Sequence, residues 1–284
     1  MGININMKRL FLIILFLVST LFIGCVQLGG NNESSKFKVH FIDVGQADCI
    51  LVQDGNSSML IDAGNNGDAD LVVDYIKRQK IDKLNYVIGT HPHEDHIGGL
   101  DAVIYNFPID NLYMPKVSHT TKTFKDVIKA VKDKGLKVKT PLPGTNLNLN
   151  TAKVTILAPN SSSYEELNNY SIVVKVEYGD SSFLFTGDAE EISENEMVLN
   201  EYNLSADVLK VGHHGSHSST TPEFLNKVNP KHAVIMVGKD NKYGHPHQES
   251  LDKLMDKNIK VYRTDVNGTI VATSDGKDIS FGSN

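Results

Sequence analysis

The sequence predicts an α/β fold in which two mixed β-sheets pack face to face and carry helices on their outer surfaces. Three observations lead there. Strand-like apolar segments come in two batches, over 37–112 and over 136–273, each interleaved with helical segments. Of the 284 residues, 40% are hydrophobic and 22% charged, which suits a packed core and argues against wholesale disorder. Eight of the eleven histidines fall in three tight clusters, and each cluster follows a predicted strand. The length fits one large domain or two small ones.

The elements read in order as follows. Residues 37–44 alternate as a first strand. Strands over 49–53 and 59–62 form a hairpin around Asp54-Gly55-Asn56. An amphipathic helix covers 70–79, a short apolar strand 86–90, a helix 98–107 and a strand 112–114. A helix over 123–134 aligns Phe124, Val127, Ile128 and Val131 on one face. Residues 122–139 carry seven lysines, a solvated helix face or a patch for polyanions. Strands follow over 136–138, 147–149 and 154–157, then a hairpin of 171–178 and 182–186 around Gly179-Asp180. After a helix over 192–201 and a strand over 206–211, Thr221-Pro222-Glu223 opens a capped helix with proline at its first position. A strand over 233–237, a helix over 248–257 and strands over 260–263 and 268–273 complete the chain.

The first residues read as an export signal. Lys8 and Arg9 precede an uncharged run of 14 residues, 10–23, short for a membrane span and suited to a signal peptide. The run ends Leu21-Phe22-Ile23-Gly24-Cys25, a pattern resembling a lipoprotein signal. The expected organisation is a signal peptide over 1–24, a lipidated Cys25 with a flexible polar tether over 25–36, and one folded domain over 37–284. That places the domain outside the cytoplasm, anchored to the cell membrane or secreted. Cys49, in an apolar strand, reads as an inert core thiol. Two cysteines exclude a disulfide scaffold and a multi-cysteine metal site. A net charge of −6 argues against a generally basic nucleic-acid binder but leaves room for a local basic groove.

The most informative stretch is His91-Pro92-His93-Glu94-Asp95-His96 followed by Gly98-Gly99. His91 and His93 can converge on one metal from a loop, while Asp95 and His96 point elsewhere and can serve a second. Phe183-Leu184-Phe185-Thr186-Gly187-Asp188 delivers a carboxylate from the end of a buried strand. Val208-Leu209-Lys210-Val211-Gly212-His213-His214 delivers histidines from another. One of His213 and His214 then ligates, and the other orients substrate or serves as acid.

Together these motifs resemble the metallo-β-lactamase superfamily. More narrowly, Phe41-Ile42-Asp43-Val44-Gly45-Gln46-Ala47-Asp48 and Leu60-Ile61-Asp62-Ala63-Gly64 resemble the soluble domain of ComEC-type DNA-uptake competence proteins. So do Asn168-Asn169-Tyr170-Ser171, Gly187-Asp188-Ala189, His213-His214-Gly215-Ser216 and Tyr243-Gly244-His245-Pro246-His247. The resemblance implies an αββα four-layer sandwich with a dinuclear site at the sheet edges, holding two divalent ions, zinc or manganese. It implies that His91 and His93 serve metal one, that Asp95 and His96 serve metal two, and that Asp188 bridges. His213 or His214 completes metal two, with His213 the expected ligand and catalytic roles expected for His214, Asp95 and Asp188. Asp62 is implied as a hydrogen-bonding support of the metal loop. Asn169, Ser171, Ser216, His245 and His247 are expected substrate contacts.

Two features depart from the family pattern. The usual third histidine of metal one is missing from its interval, which leaves metal one either weakly held or completed by Asn168, Asn169 or water. The many-helix membrane channel of the ComEC type is also absent from this sequence, so a separate channel protein is the expected partner for any transport. The implied function is an extracytoplasmic metal-dependent hydrolase. A phosphodiesterase or nuclease fits best, with a metal-bridging hydroxide as nucleophile and a phosphodiester, DNA among them, as substrate. The alternative is a non-catalytic lipoprotein that binds DNA or a partner through an incomplete metal site.

Overall fold

The computed structural model describes residues 37–283 together with Met1. The expected signal segment, Cys25 and the tether lie outside the described residues. Two sheets are built from strands whose side chains alternate between two buried faces. The first contains β1 (Phe37–Phe41), β2 (Ile50–Asp54), β3 (Ser57–Ile61), β4 (Leu84–Ile88), β5 (Ile109–Tyr113) and β6 (Val138–Lys139). The second contains β7 (Asn146–Leu149), β8 (Ala152–Ala158), β9 (Val173–Tyr178), β10 (Ser181–Phe185), β11 (Val208–Lys210), β12 (His232–Ile235) and β13 (Lys260–Arg263). The last two strands, β14 (Ile270–Ser274) and β15 (Ile279–Ser283), return to the first sheet. The spatial orders are β15-β14-β1-β2-β3-β4-β5-β6 and β13-β12-β11-β10-β9-β8-β7.

Three apolar layers hold the sandwich together. Between the sheets, Phe37, Val39, Phe41, Ile50 and Val52 meet Val174, Val176, Phe183 and Phe185. The intervening residues face outward. Leu51, Leu60 and Val87 pack under α1 (Ala69–Arg78), α3 (Leu100–Asn106) and α4 (Lys122–Asp133), with α2 (Glu94–Ile97) at the sheet end. Leu184, Leu209 and Ala233 pack under α5 (Glu191–Leu199), α6 (Pro222–Val228) and α7 (Gln248–Asp256). Each large apolar side chain so buried contributes roughly 1.5–3 kcal/mol. The architecture is the αββα sandwich.

The batches of strands do not map one to one onto the sheets. β6 extends the first sheet by parallel pairing with β5, Leu112 opposite Val138. β14 crosses back to pair antiparallel with β1, Phe41 opposite Ile270. The reason is visible in the core: Ile270 and Ala272 fill the same inter-sheet layer as Phe41, and β14 covers what would otherwise be an open sheet edge at β1. β15 and a four-residue helix, α8 (Thr264–Asn267), were not readable from periodicity. The helix expected over 98–107 is α3, starting at Leu100, and a further short helix that periodicity did not show, α2, precedes it and ends at Gly98-Gly99. A Cβ on Gly98 would lie 2.2 Å from the Asn65 carbonyl carbon, and one on Gly99 would lie 2.4 Å from the Ala63 carbonyl oxygen. Only glycine permits this approach, which pins α2 against the loop after β3. No helix among the described residues is long and apolar enough to cross a membrane.

Candidate metal centre

Three strand ends supply the centre. β4 runs out through Gly89-Thr90 into His91. β10 and β11 are parallel neighbours, with Phe185 beside Lys210, so the loops bearing Asp188 and His213-His214 emerge side by side. The two sheets are joined here by the Ile172 N–H donating to the Thr90 carbonyl (3.0 Å), and within the first sheet the loop after β1 is tied to the loop after β4 by the Asp48 N–H donating to the Asp95 carbonyl (3.0 Å).

Asp95, His96, Asp188 and His214 each turn one ligand atom into a common space, all within 4.8 Å of one another. His96 Nε2 lies 3.2 Å from Asp188 Oδ2, and His214 Nε2 lies 3.4 Å from Asp95 Oδ2 and 3.7 Å from Asp188 Oδ2. His96 Nε2, His214 Nε2 and Asp188 Oδ1 are buried and make no hydrogen bond. Burying such atoms unsatisfied is costly, and a divalent cation held by the two Nε2 atoms and the Asp188 carboxylate would offset that cost. The far ring nitrogens are fixed. His96 Nδ1 lies 2.7 Å from Asp62 Oδ2, and His214 Nδ1 donates to the Met236 carbonyl (2.9 Å). Both rings are thereby held with Nε2 free to ligate. Nearby, His91 Nε2 and His93 Nδ1 face each other at 3.0 Å, two donors on one side of the centre. The residues present therefore fit divalent metal, with His91 and His93 as one partial set and Asp95, His96, Asp188 and His214 as the other.

Asp62 supports the loop as the resemblance implied. Its carboxylate accepts from the Thr90 N–H and hydroxyl, each at 2.7 Å, as well as meeting His96. His213 and His214 both adopt left-handed backbone, with φ of 47° and 53°, and Gly215 follows at 82°. This strained turn directs His214 inward.

Burial works against charge throughout, and the partners decide the outcome. Despite burial, Asp188, Asp62 and Asp95 hold the His96 imidazole well above its usual range, and Asp188 and Asp95 raise His214. The Asp188 and Asp95 carboxyls are correspondingly held low by His96 and His214, against their own burial. His91 is pushed well down by burial and then by His96, and His93 is lowered for the same reasons. Both offer neutral imidazoles.

The structure separates the expected residues into two groups. His93, Asp95, Asp188, His213, His214 and His245 line an open cavity of about 320 Å³. His213 is not in the four-residue ligand cluster; its adjacent partner His214 is. The His213 ring instead sits partly exposed on the cavity wall, Nδ1 3.2 Å from Glu190 Oε1 and Nε2 3.7 Å from Asp188 Oδ2. Asn169, Ser171 and Ser216, expected as substrate contacts, are buried away from the cavity. Asn169 Oδ1 accepts from the Glu190 and Ser193 N–H groups at the start of α5. Ser171 Oγ accepts from the Asp188 N–H (3.1 Å) and touches His91 Nδ1 (3.3 Å), positioning both. Ser216 Oγ bonds Ser218. His247 also lies off the cavity and accepts from the His217 N–H. Asn168 lines the cavity, its Oδ1 buried and without a partner.

Sequence reasoning gave no role to two groups beneath the centre. Lys210 is fully buried, in ion pair with Asp48, and donates to the Gly187 carbonyl (3.0 Å). The available signal was a lone lysine inside Val208-Leu209-Lys210-Val211: a charge in a buried strand demands a buried partner.

An αββα sandwich with histidine and aspartate donors converging at its strand ends defines a class of metal-binding hydrolase scaffold. The family model of the metallo-beta-lactamase superfamily matches residues 42–239, and the chain belongs to that superfamily. It is 33% identical over 256 residues to ComE operon protein 3 of Bacillus subtilis (strain 168), covering 84% of this chain and 33% of that protein. It is 28% identical over 233 residues to Competence protein ComA of Neisseria gonorrhoeae, covering 80% of this chain and 31% of that protein. The chain thus spans about a third of the length of these relatives. Among solved structures, the metallo-beta-lactamase fold protein YhfI of Bacillus subtilis superposes with a TM-score of 0.57 at 14% identity, covering 87% of this chain and 100% of that one. At that identity the likeness is one of fold.

Proposed function

We propose that this protein is an extracytoplasmic, metal-dependent phosphodiesterase or nuclease. The observation that carries the reading is the convergence of Asp95, His96, Asp188 and His214, the last three with unsatisfied buried polar atoms, beside an open cavity that Asp95, Asp188 and His214 line. Asp95, His96 and His214 would hold metal two, His91 and His93 metal one, and Asp188 would lie between them. Divalent ions so held supply Lewis-acid activation of water and neutralise charge on phosphoryl oxygens, which suits phosphodiester chemistry.

The chain's own residues complete the site. Asn168 Oδ1 is the natural replacement for the third histidine at metal one. His213, steadied by Glu190 through Nδ1, turns Nε2 to the cavity and is assigned proton delivery to the leaving oxygen. Burial, then His213 and His214, lower His245 to about 4, so it faces the substrate as a neutral acceptor. Relatives named for competence favour DNA as the physiological phosphodiester. Membrane attachment through Cys25, with a separate channel protein as partner, belongs to the same proposal.

The test is metal content and turnover of the purified full chain, using bis(p-nitrophenyl) phosphate with added Zn²⁺ or Mn²⁺. The reading expects about two ions per chain and turnover abolished in Asp188→Ala. Metal without turnover would redirect the search to another ester bond. Neither metal nor turnover would leave the non-catalytic binding lipoprotein.

A further inference from the structure

Residues 122–139 hold seven lysines against two aspartates, an excess of five positive charges in a chain whose net charge is −6. The structure orders them. Lys122, Lys125, Lys129 and Lys132 recur at helical spacing along α4 and are exposed, so they form one stripe. Lys122 and Lys129 pair with Asp126 and Asp133 one turn on. Exposed pairs of that kind are weak and yield readily to phosphate. The head of the helix that bears the stripe is tied to the cavity rim. Asn66 Nδ2 donates to the hydroxyl of Thr123, next to Lys122, and to Glu94 Oε1 on the cavity rim (3.0 and 2.9 Å).

A second cavity of about 440 Å³ adjoins the first and shares Gln46, Glu94, Asp95 and Tyr243 with it. Tyr243 forms the ridge between them. The residue is 54% exposed, and its ring stacks on His245 at 5.7 Å and has Lys242 Nζ over it, 5.1 Å from the centroid. Tyr105 and Tyr243 are the large exposed aromatics among the described residues, and Tyr243 is the one that borders the site. An exposed ring with a cation beside it offers a base a stacking surface and its phosphate a counter-charge. The Glu94 carboxylate on the rim repels phosphate, which leaves the backbone to the lysines on either side of it.

We infer that the α4 lysine stripe and Tyr243 form a track that leads single-stranded nucleic acid to the metal centre, phosphates on the lysines and one base on the tyrosine ring. This rests on the phosphodiesterase reading and names its substrate as a single strand, because a paired base has no free face for Tyr243.

The experiment measures binding of fluorescent oligo(dT) of about twenty nucleotides to the full chain in EDTA across a salt series. Binding read this way is independent of hydrolysis, which wild-type turnover of bis(p-nitrophenyl) phosphate reports separately. Replacing Lys122, Lys125, Lys129 and Lys132 with glutamine should flatten the log–log salt slope by roughly two to three, at about 0.7 per lost phosphate contact. Arginine at the same four positions should restore it. Tyr243→Leu should weaken binding by roughly fivefold to a hundredfold, Tyr243→Phe should not, and an abasic strand should be indifferent to Tyr243→Leu. An unchanged salt slope in the glutamine variant overturns the track. So does a glutamine variant that loses binding to phosphatidylglycerol vesicles while keeping its grip on oligo(dT), which would make the stripe a membrane face.

Discussion

The ammonium of Lys210 lies against the carboxylate of Asp48, both fully buried, and 3.9 Å from Asp188 Oδ1. Asp48 in turn is 3.5 Å from His214 Nδ1 and 3.9 Å from His96 Nδ1. A positive charge therefore sits under the proposed bridging carboxylate and is compensated from the first sheet. Removing one member of such a pair strands the other without water, at a cost of about 3–5 kcal/mol. Lys210→Met should lose stability of that order in urea denaturation, and adding Asp48→Asn should recover part of it. Equal stability of wild type and Lys210→Met would show that the pair holds nothing together.

Asp62 makes three contacts of 2.7 Å, two with Thr90 and one with His96. Asp62→Asn keeps the shape and removes the charge that orients His96. Loss of such an outer partner lowers metal affinity by roughly 10–100-fold. A competitive chelator titration reads this directly, and an affinity equal to wild type would reduce Asp62 to a turn-forming residue.

What was legible in the sequence follows the same division between local and distant causes. His91, His93, Asp95 and His96 lie within six residues, so their convergence is written in one loop. The layer order followed from strand-like segments interleaved with helical ones, and the structure realises it in Phe183-Leu184-Phe185, where the phenylalanines face the other sheet and the leucine faces helices. The choice between His213 and His214 was not legible. Adjacent residues differ only in which way a left-handed turn directs them, and that turn is set by contacts to Met236 and Gly187 far along the chain. Asn168 and Asn169 present the same problem: the one at the cavity is known only once the other is seen capping α5. The return of β14 to β1 was hidden because a strand's pattern names its buried face and not its neighbour.

Gly98 tests how far the metal loop depends on close packing. A Cβ there would meet backbone atoms of Asn65 and Asn66 at 2.2 Å, and backbone cannot swing aside. Gly98→Ala should cost about 3 kcal/mol, the upper end for overpacking, and should weaken metal binding because His96 lies two residues away. Gly67→Ala, with nothing within 4 Å of its added carbon, is the matched control. Equal denaturation midpoints for the two variants would refute the argument.

Glu194 gives the fold a pH dependence separate from the metal. It lies fully buried on the inner face of α5, and its two oxygens accept from the Thr220 and Thr221 N–H groups (2.6 and 2.8 Å) at the cap of α6. Burial outweighs those bonds and pushes its carboxyl from 4.5 up to about 7. Between these values the folded chain binds more protons than the unfolded one, so stability falls as pH rises. The contribution is complete below pH 4.5 and gone above about 7, and amounts to roughly 3 kcal/mol at 1.36 kcal/mol per unit. Glu194→Gln carries no such proton. The stability difference between metal-free wild type and the variant should therefore move against wild type as pH rises through that window and level off above it. Parallel curves would mean that the two backbone donors hold the carboxylate ionised in the folded protein, and that the pH dependence originates elsewhere.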